Sequence, residues 1–341
     1  FLMADGATGT NLFGMGLMTG DSPELWNIDH PDRIERLHQS FVDAGADLFL
    51  TNSFGGTRHR LKLHNGQDRV HEINKRAAEI ARKVADAAMK AQPGREIVVA
   101  GSMGPTGELF QPMGPLTEQD AIDAFAEQAA ALKEGGVDVL WIETMYSREE
   151  VSAAVAGAAT TGLPFVTTMS FDTNGKTMMG ISPADFVAFV HTLDPKPVAY
   201  GANCGVGASD LVATIVKLAE AAAPDDIIIA KGNCGIPYYE EGKIRYNGTP
   251  ELMADYARIV RDAGARIVGG CCGTSPGHLH SIRGALDAHE PGAKPNAAEI
   301  IARLGPISEG AQALLAGTDI AAGAPKRSRR RDRGGAEESA F

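Results

Sequence analysis

Arg266-Ile267-Val268-Gly269-Gly270-Cys271-Cys272-Gly273 runs from an aliphatic stretch into two adjacent cysteines, and Val198-Ala199-Tyr200-Gly201-Ala202-Asn203-Cys204-Gly205 ends on a third. Each is a short apolar run closed by glycine, which reads as a strand buried on both faces. The 341 residues contain four cysteines, so three of the four stand at these two strand ends. If both strands belong to one sheet and end at the same edge, three thiolates converge on one point. Three soft sulfur ligands and one open position is how a catalytic zinc is held.

Six more runs of this kind occur, at 1–5, 48–52, 97–102, 137–143, 165–171 and 227–231, beside those at 198–204 and 266–271. Between them the apolar spacing becomes helical. Ile34, Leu37, Phe41 and Val42 share one face, as do Ile73, Ala77, Ile80, Ala81 and Val84; 117–134, 147–159, 183–192, 208–222, 250–263 and 276–287 read similarly. Thr117, Ser182-Pro183, Thr249-Pro250 and Ser275-Pro276 mark helix starts. Gly45, Gly135-Gly136 and Gly264 mark ends, where a left-handed residue is wanted. Eight strands, each followed by a helix, predict an α/β chain closed as a single-domain (β/α)8 TIM barrel. An open doubly wound sheet is the alternative. It wants a glycine-rich phosphate turn after its first strand, and Asp5-Gly6-Ala7-Thr8-Gly9-Thr10 has the wrong glycine spacing.

The barrel is expected over 1–290, a helical extension over 291–317 and a disordered basic tail over 318–341. Lys326, Arg327, Arg329, Arg330, Arg331 and Arg333 lie in that tail among Ala, Gly and Ser. An arm for an acidic partner protein is the sharper reading of the same cluster. The chain starts almost inside its first strand, so a short N-terminal piece is expected ahead of residue 1. Phe1-Leu2-Met3-Ala4-Asp5 lacks the features of a signal peptide. No apolar stretch reaches membrane-helix length, and a net charge of −11 argues against a nucleic-acid surface. Sparse cysteines with one vicinal pair predict a reducing, cytoplasmic location. A homo-oligomer stays open.

Active sites of this fold lie at the C-terminal strand ends. Asp5, Thr51, Asn52, Ser102, Glu143, Thr144, Ser170, Asn203, Cys204, Asn233, Cys271 and Cys272 all fall there. A dication with three thiolates keeps one net negative charge, so it activates water poorly. It suits binding a substrate thiol, removing its proton and keeping the sulfur nucleophilic. Other readings stay open: inert buried cysteines, a redox-sensing vicinal pair, or closure of the fourth position by Cys234.

At these residues the chain resembles the zinc-dependent homocysteine S-methyltransferase family, which includes betaine–homocysteine methyltransferase and the homocysteine domain of cobalamin-dependent methionine synthase. The resemblance runs from residue 1 to about 288. It rests on Asp5-Gly6-Ala7-Thr8-Gly9-Thr10, Ala44-Gly45-Ala46-Asp47, Thr51-Asn52-Ser53-Phe54, Gly101-Ser102-Met103-Gly104-Pro105, Ile142-Glu143-Thr144, Gly201-Ala202-Asn203-Cys204 and Gly269-Gly270-Cys271-Cys272-Gly273. It implies that Cys204, Cys271 and Cys272 bind one zinc and that homocysteine sulfur takes the open position. Asp5 and Glu143 would hold the homocysteine ammonium, with Gly6 and Thr51 nearby and Asn203 orienting backbone or a cysteine sulfur. The implied reaction is attack of zinc-bound homocysteine thiolate on a methyl group, giving methionine.

The donor is less legible. Betaine needs an aromatic cage, yet Gly55 stands where the betaine enzymes carry an aromatic residue after Phe54, and Ser22 where they carry a tryptophan. Phe13, Trp26, Tyr146, Tyr238 and Tyr239 are candidates for another cage. The stretch 24–61 reads closer to the cobalamin-dependent enzymes, which implies a corrinoid carried by a partner protein. Betaine and S-methylmethionine are the alternatives. A zinc or redox barrel serving as a partner module, and an aldolase-like barrel with Lys231 as Schiff-base lysine, are the rival classes.

Overall fold

Ten strands, thirteen α-helices and three short 3-10 helices (Pro23–Leu25, Lys62–His64 and Gln67–Arg69) account for the regular structure among residues 1–240 and 243–318, the part that the computed structural model describes. The strands are β1 (Leu2–Met3), β2 (Leu48–Leu50), β3 (Val98–Met103), β4 (Val139–Met145), β5 (Phe165–Met169), β6 (Ala199–Cys204), β7 (Ile228–Gly232), the hairpin strands β8 (Pro237–Glu240) and β9 (Lys243–Tyr246), and β10 (Ile267–Gly270). All except the hairpin pair in parallel in the order β1-β10-β7-β6-β5-β4-β3-β2. Helices α1 (Thr8–Gly14), α2 (Trp26–Asp29), α3 (Pro31–Asp43), α4 (Arg58–Leu61), α5 (Val70–Ala91), α6 (Glu118–Glu134), α7 (Arg148–Ala159), α8 (Pro183–Val190), α9 (Ala208–Ala221), α10 (Pro250–Asp262) and α11 (Pro276–Asp287) lie between and after them. This is the (β/α)8 barrel. Among the described residues no helix is long and apolar enough to cross a membrane.

The first strand is two residues long, and carboxylates close its seam with β2. Asp47 N–H donates to Met3 O at 2.8 Å, Met3 N–H donates to Asp47 Oδ2 at 2.7 Å, and Leu50 N–H donates to Asp5 Oδ2 at 2.8 Å. Side-chain oxygens thus do the work of missing ladder bonds.

Helix boundaries follow local chemistry. Thr117, Ser182 and Thr249 accept a first-turn N–H at the starts of α6, α8 and α10, and Ser275 forms a capping box with His278. Gly45, Gly136 and Gly264 adopt φ of +95°, +98° and +111° beyond α3, α6 and α10. The short helices α1, α2 and α4 and the β8–β9 hairpin lack a counterpart in the sequence reading. Helices α12 (Ala297–Leu304) and α13 (Glu309–Ala316) fall within the expected extension and pack on α9 and α10. The expected basic tail lies outside the described residues, apart from Thr318.

Two cores result. The larger fills the space between strands and helices. The smaller, Ala4, Leu48, Leu50, Ala100, Trp141, Val166, Ala199, Ile229 and Ile267, plugs the barrel. Strand side chains alternate, so residues two positions beyond the plug also face inward. These include Ser102, Glu143, Thr168 and Lys231, with Asn203 four beyond Ala199. All five are buried. A polar layer therefore sits on an apolar plug at the C-terminal mouth.

Candidate functional site

Cys204 closes β6 with φ of +59°, a left-handed conformation uncommon for a residue with a Cβ. Such conformations concentrate at functional sites. The Cys271–Cys272 pair follows β10 directly. Cys271 N–H donates to Gly232 O at 2.7 Å, and Cys234 N–H donates to Cys272 O at 2.9 Å. These bonds fix the pair against the end of β7. Cys204 Sγ lies 3.1 Å from Cys271 Sγ and 3.8 Å from Cys272 Sγ, and all three sulfurs lie within 4.8 Å of one another. With zinc–sulfur bonds of about 2.3 Å, tetrahedral sulfurs stand about 3.8 Å apart. Among the described residues this is the one His/Cys/Asp/Glu group with metal-binding geometry.

The protons point the same way. Hydrogen bonds from Cys204 and Cys271 push the Cys272 thiol down to about 3. Cys204 is held well above the ordinary thiol range by its hydrogen bonds with Cys271 and Cys272. The trio gives up one proton readily and resists losing three. A soft dication supplies the charge that three converging thiolates lack. The residues therefore fit a zinc ion. Cys234 lies outside the cluster, and burial pushes its thiol up to about 11.

Asn203 braces the centre. Its Oδ1 accepts from Thr144 N–H at 2.9 Å and Thr168 Oγ1 at 2.7 Å. Its Nδ2 donates to Thr144 Oγ1 at 2.7 Å and stands 3.9 Å from Cys271 Sγ. Tyr246, from the hairpin, hydrogen-bonds Cys272 from the other side. Gly273 has φ of +81°, and a Cβ there would strike the Tyr246 ring.

Across the mouth stand the charged groups. Asp5 Oδ1 accepts from Lys231 Nζ at 2.6 Å, both side chains fully buried. Burial pushes the Asp5 carboxyl up against the pull of Lys231 and the Leu50 N–H. Burial works against the Lys231 ammonium too, but Asp5 and Glu143 hold it above its ordinary value. Lys231 is thus a paired cation lying 5.6 Å over the Trp141 ring, which removes it as a neutral nucleophile. Glu143 Oε1 accepts from Ser102 Oγ at 2.6 Å, and burial pushes Glu143 up to about 7. Thr51 accepts from Ser102 N–H at 3.0 Å and so links β2 to β3. A Cβ at Gly6 would stand 2.6 Å from Thr274 O, so only glycine allows this approach of two loops.

The structure thus gathers Cys204, Cys271, Cys272 and Asn203 at one point, and Asp5, Glu143, Thr51 and Gly6 around the same mouth. Sequence reasoning missed Tyr246 and the pairing of Lys231. Of the cage candidates, Trp26 is buried under Arg33, whose guanidinium carbon lies 4.7 Å from the ring centroid. Phe13 and Tyr238 are about half exposed, and the Tyr239 side chain lies outside the described part.

Comparison with known proteins identifies the family and the fold. The family model described as homocysteine S-methyltransferase matches residues 2–286. Methionine synthase of Mycobacterium tuberculosis is 30% identical over 300 residues, covering 84% of this chain and 24% of that protein. Methionine synthase of Mycobacterium leprae is 29% identical over 307 residues, covering 86% of this chain and 25% of that protein. The chain therefore spans about a quarter of these curated relatives. The homocysteine methyltransferase MmuM of Escherichia coli, in its metallated form, superposes with a TM-score of 0.70 at 23% identity, over 83% of this chain and 96% of that one. This likeness shows a shared fold.

Proposed function

The chain belongs to the homocysteine S-methyltransferase family, a family of methyltransferases, and from that premise we propose that it makes methionine from homocysteine at a zinc site held by Cys204, Cys271 and Cys272. The observation that carries this reading is the convergence of three sulfurs beside a buried carboxylate pair. Zinc, when bound, would take the proton off the substrate thiol and keep the sulfur nucleophilic at neutral pH.

The chain's own residues do the rest. The Asp5 and Glu143 side of the pocket receives the homocysteine ammonium, and Gly6 keeps the adjoining backbone low. Thr51 holds the Ser102 peptide in place, and with it the Ser102 hydroxyl that donates to Glu143. Asn203 and Tyr246 aim Cys271 and Cys272. The sulfur lone pair forms the new S–CH3 bond while the bond from methyl to its donor breaks, and that electron pair leaves with the donor.

The donor we propose is a methyl-corrinoid carried by a partner protein. Ser22 and Gly55, the two departures from the betaine enzymes, are tied to one carboxylate. Ser22 Oγ donates to Glu24 Oε2 at 2.6 Å, and Gly55 N–H donates to Glu24 Oε1 at 2.7 Å. A Cβ at Gly55 would stand 2.9 Å from Glu24 Oε1, so an aromatic residue there would have to displace this carboxylate from its hydrogen bonds. Methionine synthases among the relatives support methionine as the product. The free thiols suit a reducing compartment such as the cytoplasm.

Zinc-loaded protein with homocysteine, offered a methylated corrinoid protein, betaine or S-methylmethionine in parallel, tests this. Methionine should form fastest from the corrinoid donor. Turnover with betaine alone would overturn the donor assignment and leave the thiol chemistry intact.

A further inference from the structure

The polar layer holds two carboxylates and one lysine, and they are not equivalent. Asp5 has no exposed surface, and both of its oxygens are engaged: Oδ1 by Lys231 Nζ at 2.6 Å and Oδ2 by Leu50 N–H at 2.8 Å. Glu143 keeps 8% of its surface, with Oε1 held by the neutral Ser102 hydroxyl. Lys231 is 3% exposed, with Trp141 on one side. The one built-in cation is paired with Asp5, so Glu143 is left as the carboxylate that a ligand can reach and that an arriving ammonium would hold ionised. Homocysteine brings one ammonium.

We propose that Lys231 is the specificity-determining positioning residue of the amino-acid subsite: it claims Asp5 as its own counter-ion and leaves Glu143 alone to receive the substrate ammonium. The inference rests on the homocysteine reading above. It departs from a symmetrical two-carboxylate grip, because a second carboxylate already neutralised at 2.6 Å has little left for the ligand.

A charge-matching cycle separates the two. Asp5→Asn strips Lys231 of its partner, so the ammonium turns on Glu143 and cancels it. Homocysteine affinity by calorimetry on zinc-loaded protein should then fall about ten- to hundredfold, the scale of one charge-assisted hydrogen bond, with KM moving more than kcat. Adding Lys231→Met to Asp5→Asn removes the competing cation. Affinity should return to within about threefold of the parent, a non-additive rescue. The des-amino analogue 4-mercaptobutanoate has no ammonium, so it should bind Asp5→Asn no more weakly than the parent.

A double variant that holds one zinc per chain yet binds homocysteine as weakly as Asp5→Asn would show that Asp5 grips the ammonium itself, and would overturn the proposal. Glu143→Gln breaks no ion pair and guards against folding failure. It should weaken homocysteine at least tenfold on the same scale and spare the des-amino analogue; parent-like homocysteine binding sinks the division of labour. A parent protein that holds zinc but binds no homocysteine overturns the underlying reading, and this inference with it.

Discussion

The lower and upper halves of the barrel interior are built by the same strands, two residues apart, and they do opposite things. Ala100, Trp141, Val166 and Ile229 belong to a dry plug. Ser102, Glu143, Thr168 and Lys231, each two residues further on, belong to a hydrogen-bonded, charged layer. The plug gains from the hydrophobic effect. The layer above it gives up some of that gain to hold charges out of water. Stability and chemistry are thus stacked rather than mixed, and substitutions in the two halves should separate cleanly.

The largest effect is expected in the upper half. Cys271→Ala removes one of three sulfurs and should abolish both metal retention and methyl transfer, with the unfolding midpoint of the metal-free protein almost unchanged. Zinc content by atomic absorption and a methionine assay check it. Full activity in a zinc-free variant would sink the ligand assignment.

The mirror experiment is Trp141→Ala in the lower half. Trp141 is 1% exposed and the largest fully buried side chain, so its loss should cost about 3–5 kcal/mol. Urea unfolding reads this. The variant should still bind zinc when folded, though its Lys231 loses the ring beneath it. A Trp141→Ala protein as stable as the parent would break the division between the halves.

A second contrast lies between partnered and unpartnered ionisable groups. His38 packs on Phe49 outside the plug, with ring centroids 5.0 Å apart, and both its nitrogens lack a partner. Burial pushes it down to about 3. The unfolded chain therefore takes up the proton first. The stability that neutral His38 contributes is complete above about pH 6.5 and is lost as pH falls from there toward 3, by about 1.4 kcal/mol per unit. Denaturation at pH 7.5, 6 and 5 should show this slope, and His38→Leu should flatten it. Equal slopes in the two proteins would assign the acid sensitivity elsewhere.

Most of this architecture is readable in the sequence because aliphatic runs ending in Gly, Asn or Cys mark both a strand and its functional end. Ser182 and Thr249 ahead of proline did the same for helix starts. Among the features that were not readable, three show why. Helix α1 carries two glycines in seven residues and is held from outside, by Asn11 Nδ2 donating to Thr274 O at 3.0 Å. The hairpin strands are four residues each, too short for alternation to declare itself. Lys231 meets Asp5 from 226 residues away, and nothing beside it in Ala230-Lys231-Gly232 announces a partner. Local pattern reports elements well; pairings made by barrel closure leave no local trace.

Tyr246 tests that last point at the smallest scale, because it reaches the cysteines from the hairpin and not from a barrel strand. Its hydroxyl hydrogen-bonds Cys272, while burial, and then the negative charge of Cys272, raise its own pKa. A phenol donating to a thiolate lowers that sulfur's donor strength and fixes its direction. Tyr246→Phe keeps the ring over Gly273 and deletes only this bond. Removing one such bond is worth about 1–2 kcal/mol, so zinc affinity in a chelator competition should change about five- to thirtyfold, with the fold intact and Cys204 and Cys271 still in place. Far-ultraviolet circular dichroism guards the first condition. An unchanged zinc affinity would confine the hairpin to covering the site, and would return control of the metal to residues of the barrel itself.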